Sequence, residues 1–163
     1  MKKKFYFSAV CLLAASSLML VSCDKDEKAD VTKPEIKLNA PKEGAVFKIG
    51  DKHGVHFDMD LSDDVMLKSY QIEIHSNFDN HTHTKSGNGS VAFAFKKSYD
   101  VSGKKNVHIH HHDIKIPENA TPGKYHLMVY CTDAAGNEQR IPERNIVLSK
   151  DAPNHDDHHH HEH

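Results

Sequence analysis

Asn106–Pro117 reads NVHIHHHDIKIP and places His108, His110, His111 and His112 in one short run. Val107, Ile109, Ile114 and Ile116 supply its apolar positions and give it the pattern of a β-strand. Side chains two apart on a strand share a face, about 7 Å from each other. His108 and His110 therefore point the same way and offer two imidazoles to one ion. Neutral imidazole is a common ligand of Zn²⁺, Cu²⁺ and Ni²⁺. The parity breaks inside the run, because Val107 and Ile109 are odd-numbered while Ile114 and Ile116 are even. A bulge at His111-His112-Asp113 is the economical solution, and it re-aims one histidine. Which of His111 and His112 turns toward a site stays open at this level.

Sixteen of 163 residues are histidine, a frequency that neither solubility nor core packing requires. A second His-x-His pair, His81-Thr82-His83, follows Asp79, a potential carboxylate ligand or acceptor. His126, between Tyr125 and Leu127, falls on the outward face of its strand, as does His75 after Ile74. Zn²⁺ takes four ligands in a tetrahedron, and a loop adapts to that more readily than a strand. Two ligand sets follow from an immunoglobulin-like strand order: His75, His81, His83 and His126 on one sheet, and His56, His108 and His110 on the other. Each ligating histidine also needs an acceptor for its second ring nitrogen; Glu73, Asp58, Asp79 and Asp113 lie nearby in sequence. His53 alternates with Val55 and Phe57 and sits at a strand entrance.

The elements that must carry these residues are short. Alternation predicts strands at Pro34–Leu38, Val46–Ile49, His53–Met59, Leu67–Ile74, Val91–Phe95, Val107–Ile116, Tyr125–Cys131 and Arg144–Leu148. Phe78–Ser90 has no period and reads as a long loop, and no segment sustains a helical repeat. Seven or eight short strands separated by turn residues predict an all-β fold, an immunoglobulin-like antiparallel β-sandwich.

The ends of the chain are distinct. Lys2, Lys3 and Lys4 precede an apolar run, Phe5–Val21, in the layout of a secretory signal. Leu20-Val21-Ser22-Cys23 resembles the lipobox of bacterial lipoproteins, which implies cleavage after residue 22 and lipidation of Cys23. Residues 23–32 then form a charged tether, residues 33–150 the domain, and residues 151–163 a His/Asp-rich tail of too little apolarity to pack. In that tail His158, His159, His160 and His161 form a flexible chelator, interrupted by acidic residues as a plain tag is not. Loss of three lysines with the signal leaves 18 basic against 23 acidic residues, which disfavours nucleic acid as a partner. Cys131 would be alone in the processed chain, and its apolar strand makes it a packed thiol.

Tyr125-x-Leu-x-Val-x-Cys-x-Asp-x-x-Gly136-Asn137 resembles the penultimate-strand signature of bacterial immunoglobulin-like domains, where the Asp and Gly-Asn close the hairpin into the final strand. The acidic residues after Cys23 resemble the surface-export signal of Bacteroidota lipoproteins. Together with the His-x-His loop, the strand leading to Ile114-Lys-Ile-Pro117 and the Gly123-Lys-Tyr-His126 strand, they resemble an uncharacterised Bacteroidota lipoprotein family over Lys33–Ser149. In that family an aromatic residue follows the His-x-His loop, a place that Phe93 or Phe95 would fill here. The resemblance implies a fold and no activity.

Three functions meet these observations. The first is an outer-membrane-anchored lipoprotein, exposed at the cell surface, that captures or buffers Zn²⁺ (or Cu²⁺ or Ni²⁺) and hands it to a metal-uptake receptor. The second is an immunoglobulin-like protein- or glycan-binding module with a pH-responsive histidine surface. A metal-dependent hydrolase is disfavoured, because HExxH, Gly-x-Ser-x-Gly and a Cys–His nucleophile context are all missing from the sequence. The expectation is a non-enzymatic protein.

Overall fold

The computed structural model describes residues 29–77 and 89–153. These form nine strands: β1 (Glu35–Ala40), β2 (Ala45–Lys48), β3 (Val55–Ser62), β4 (Leu67–Ser76), β5 (Phe95–Asp100), β6 (Asn106–Ile114), β7 (Gly123–Asp133), β8 (Glu138–Arg140) and β9 (Arg144–Ser149). A three-stranded sheet, β1-β3-β6, packs on a six-stranded one, β2-β9-β7-β4-β5, with β8 also paired to β7. The result is an immunoglobulin-like β-sandwich, antiparallel except where β2 runs parallel to β9. The predicted leader, the lipobox with Cys23, the His81/His83 loop and the chelating tail all lie outside the described residues. Among those described, no helix is long and apolar enough to cross a membrane.

Alternation builds the core. In β3, Val55, Phe57, Met59 and Leu61 are buried while His56, Asp58, Asp60 and Ser62 face outward. They meet Tyr70, Ile72 and Ile74 of β4, Leu127, Val129 and Cys131 of β7, and Ile146 and Leu148 of β9 in one cluster. Cys131 is fully buried, and burial, reinforced by Asp63 and Asp133, pushes its thiol up to about 12.

The strand count exceeds the expected seven or eight for a local reason. Pro142 cannot donate to a ladder, and it divides a single path beside β7 into β8, opposite Tyr130–Thr132, and β9, opposite Gly123–Leu127. The predicted Val91–Phe95 strand also lies further along the chain. Val91 makes one isolated bridge to Ala120, and the continuous strand is Phe95–Asp100.

Two hydrogen-bonded corners fix β7. The Tyr125 hydroxyl donates to the Thr121 carbonyl (2.7 Å) and accepts from the Phe93 amide (3.2 Å). This is the tyrosine corner of such sandwiches. At the other end the buried Asp133 carboxylate accepts from the Asn137 amide (2.7 Å) and from Asn137 Nδ2 (2.8 Å). Burial alone would raise Asp133; the bonds from Asn137, Gly136 and Ala135 outweigh it and hold the carboxyl below its ordinary value.

The parity break in the histidine run is resolved by a bulge. Val55 pairs with Ile114 and Phe57 with His111, so His56 alone stands opposite both His112 and Asp113. Gly54 makes this possible. Its φ is +81°, and a Cβ there would lie 2.6 Å from the His112 carbonyl oxygen and 2.8 Å from that of Ile114.

Two outcomes are expected. Asp133→Ala should cost about 3 kcal/mol at pH 7, since hydrogen bonds to a charged group contribute about 1.5–3 kcal/mol. The folded pKa lies below the unfolded one, so this contribution is complete above about pH 5 and is lost as pH falls through the folded value. Urea titrations should show the difference between wild type and variant shrinking below about pH 4; a constant difference would mean that the charge contributes nothing. Gly54→Ala should cost about 2–4 kcal/mol through backbone strain and the two carbonyl contacts; unchanged stability in the same titration would show that the bulge tolerates a side chain.

Candidate functional site

The outward face of the small sheet carries the even-numbered residues of β3 and, up to the bulge, of β6. His112 lies on that face beside His110, across from His56. His56 and His110 have ring centroids 4.9 Å apart, His56 and His112 5.2 Å, and His110 and His112 5.5 Å. One nitrogen of each ring lies within 4.8 Å of the other two. His56 Nδ1 and His112 Nε2 are 3.4 Å apart, long for a hydrogen bond between nitrogens, which peaks near about 3.0 Å. It is the span of two nitrogens on one tetrahedral Zn²⁺, about 3.4 Å for bonds of about 2.0–2.1 Å. His110 is exposed and the other two are half-buried. Three imidazoles with the fourth direction open to solvent can bind an ion and leave it a place for water or for a partner's ligand.

His111 takes the other side of the bulge. It stacks on Phe57 (5.0 Å, 9°) and on Tyr99 (5.1 Å, 22°), and Tyr99 stacks on Tyr70 (4.6 Å, 6°). This aromatic column joins β6 to β5 across the open side of the sandwich. Lys97 closes the column, 4.5 Å above the Tyr99 ring and 2.8 Å from Asp113. Desolvation is the largest influence on His111 and holds its pKa below the ordinary value. It is a packing histidine.

His108 shares the outward face but serves a different group. Its Nδ1 lies 2.9 Å from Asp60 and its Nε2 3.4 Å from Asp58, while Asn39 Nδ2 donates to both carboxylates (2.8 and 2.9 Å). The Asp60 hydrogen bond raises the His108 pKa. Bonds from Asn39 and then His108 hold Asp60 low. A ring engaged by carboxylates through both nitrogens has none left for an ion. Of the expected set His56, His108 and His110, the structure thus gathers His56 and His110 and substitutes His112 for His108. The signal for His112 was the parity break; the direction of the bulge, set by Gly54, was the missing datum.

The expected set on the other sheet is present in part. His75 and His126 are direct cross-strand partners of β4 and β7, with centroids 5.6 Å apart. His126 Nδ1 is ion-paired to Glu143, an acceptor that sequence proximity did not suggest. Glu73 pairs with Lys96 and Asp113 with Lys97, so neither orients a histidine of its own sheet. His81, His83 and Asp79 are outside the described residues. His53 stands just before β3, 3.4 Å from Asp51. His56/His110/His112 and His75/His126 lie on opposite outer faces, so the described members of the two expected sets stand apart.

Comparison with known proteins adds a family. No curated protein matches the chain. Among solved structures, the fibronectin(III)-like modules of Clostridium thermocellum CbhA are 12% identical and match at a TM-score of 0.36, covering 73% of this chain and 100% of that one. At that score the likeness carries no argument, and the fold assignment rests on the strands themselves. The family described as "Domain of unknown function (DUF4625)" matches residues 21–149, the whole sandwich included, and this chain belongs to it.

Proposed function

We propose that this protein is a non-enzymatic lipoprotein of the bacterial cell envelope that captures or buffers a transition metal, Zn²⁺ first, through His56, His110 and His112. The lipobox-like Leu20–Cys23 and the acidic tether support an outer-membrane anchor and, with the resemblance noted above, an origin in Bacteroidota. The observation that carries the metal reading is the 3.4 Å separation of His56 Nδ1 and His112 Nε2, with His110 completing a trio on one open face. Structural zinc sites are closed by four protein ligands. A three-ligand site on an exposed sheet suits an ion that must be handed on, and a metal-uptake receptor is the class of partner that could supply the fourth ligand. The tail, by composition, raises the local concentration of metal near the domain.

A second reading has its own observation. Beside the trio, an open groove runs past Glu35, Lys37, Asp60, Ser62, Asn106 and His108. Its row of carboxylate, amide, hydroxyl and imidazole groups suits a polar protein segment or a glycan, and binding there would survive EDTA.

Calorimetric titration with Zn²⁺ of a chain ending at Pro153 separates these possibilities, since the chelating tail is then gone. One equivalent should bind, and His56→Ala/His112→Ala should weaken it by more than about 100-fold, beyond the effect of losing a supporting group. Undiminished binding in that variant, with loss in His81→Ala/His83→Ala/His126→Ala, would move the site to the other sheet. No binding in either wild type or variant would end the metal reading for the domain.

A further inference from the structure

The far end of β3 carries a different ion-binding chemistry. Asp63 and Asp64 follow directly on Ser62, and Asp30 approaches them from the segment that leads into β1. Each of the three carboxylates offers one oxygen within 4.8 Å of the other two. Two oxygens on a common Ca²⁺, at about 2.3–2.6 Å from it, stand no more than about 5 Å apart.

The polar satisfaction of this cluster is incomplete in a specific way. Asp63 is only 8% exposed; its Oδ1 accepts from the Val65 and Met66 amides (3.0 and 2.6 Å), but its Oδ2 is buried without a hydrogen-bond partner. Asp30 repeats the pattern. Oδ1 accepts from the Thr32 amide (3.0 Å), and Oδ2 is buried and unpartnered. Buried carboxylate oxygens left without a donor are costly, and here two of them belong to one cluster of like charges. Among the described residues no lysine or arginine is salt-bridged to any of the three. Lys105 Nζ donates instead to the Asp64 backbone carbonyl (2.7 Å). A cation held by the cluster is the kind of group that would offset these unpaired oxygens.

We propose that Asp30, Asp63 and Asp64 bind Ca²⁺. The donors are all hard oxygens, which disfavours Zn²⁺ and Cu²⁺. Ca²⁺ also accepts flexible oxygen ligands from separate segments, whereas Mg²⁺ demands near-ideal octahedral geometry and is seldom held by carboxylates alone. The ion would clasp the segment entering the domain against the β3–β4 turn. That segment is already held by two weaker contacts, Asn137 Nδ2 to the Asp30 carbonyl (3.1 Å) and Thr32 Oγ1 to Asp64 Oδ2 (3.2 Å). Ca²⁺ would therefore set how firmly the domain is joined to whatever precedes residue 30.

The test is titration of the full chain with CaCl₂, read by calorimetry and by hydrogen exchange at the Thr32, Val65 and Met66 amides. One equivalent should bind in the range of about 10⁻⁴–10⁻³ M usual for extracellular modules, and the three amides should exchange more slowly with the ion bound. Asp30→Asn/Asp64→Asn, which leaves the buried Asp63 and its turn intact, should weaken binding about tenfold or more. Asp63→Asn should do the same if it folds. His56→Ala/His112→Ala should leave Ca²⁺ binding unchanged, so the two metal proposals stand or fall separately. Absence of Ca²⁺ binding at about 10 mM would overturn the assignment. So would equal affinity in wild type and Asp30→Asn/Asp64→Asn, or unchanged exchange at the three amides.

Discussion

The mismatch of one residue against two between β3 and β6 is the constraint that joins an outward-facing histidine run to a buried strand end. Without it, His110 and His112 would still alternate outward, but Ile114 and Ile116 would follow them to the solvent face and the end of the small sheet would lose its core contacts. With it, both isoleucines are buried while His110 and His112 stay beside the single His56 opposite the bulge. Gly54 holds the geometry from β3, because only a residue without a Cβ fits against the His112 and Ile114 carbonyls. His111 keeps the inward parity of Val107 and Ile109, and serves as a spacer between Phe57 and Tyr99. Alternation up to the bulge, and the partners facing each ring, thus assign four neighbouring histidines to three different tasks.

Those tasks differ in environment more than in residue type. His108 is drawn toward the charged form by Asp60 and Asp58, with Asn39 locking both carboxylates in place. His111 is drawn toward the neutral form by burial. The ring that would coordinate a metal needs a neutral nitrogen with its lone pair free. A histidine-rich run is therefore a poor unit of inference. The unit is each ring together with what the opposite strand places against it.

The strand register was legible in the sequence wherever apolar and polar residues alternate strictly, as in β3, β4 and β7, and so was the existence of a bulge. Three features were not. β5 hides because Lys97 stands where the alternation of Phe93, Phe95, Tyr99 and Val101 calls for an apolar residue. Its ammonium lies over the Tyr99 ring and reaches Asp113, an arrangement open to an edge strand. β8 is three exposed residues with no pattern to read. The choice of His112 over His108 depends on a glycine just before another strand and on Asp60, a cross-strand partner 48 residues away. Sequence periodicity reports the face of a residue, and ligand choice turns on partners that periodicity does not contain.

The two proposed ion sites sit at opposite ends of one strand. His56 is near the start of β3 and Asp63 just past its end, and seven residues of extended chain span about 23 Å. That exceeds by far the Debye length of about 8 Å at physiological ionic strength, so charge introduced at one end is screened from the other. The separation is also chemical, with imidazole nitrogen at one end and carboxylate oxygen at the other. A soft-to-borderline ion and a hard ion would then have little reason to exchange places. Within such a division the carboxylate end, where the chain enters the domain, governs how the sandwich is held. The imidazole end, on an open face, governs what it presents. A strand buried on its odd-numbered side is a rigid spacer between the two, which allows both to be read as independent sites rather than as one extended acidic and histidine-rich surface.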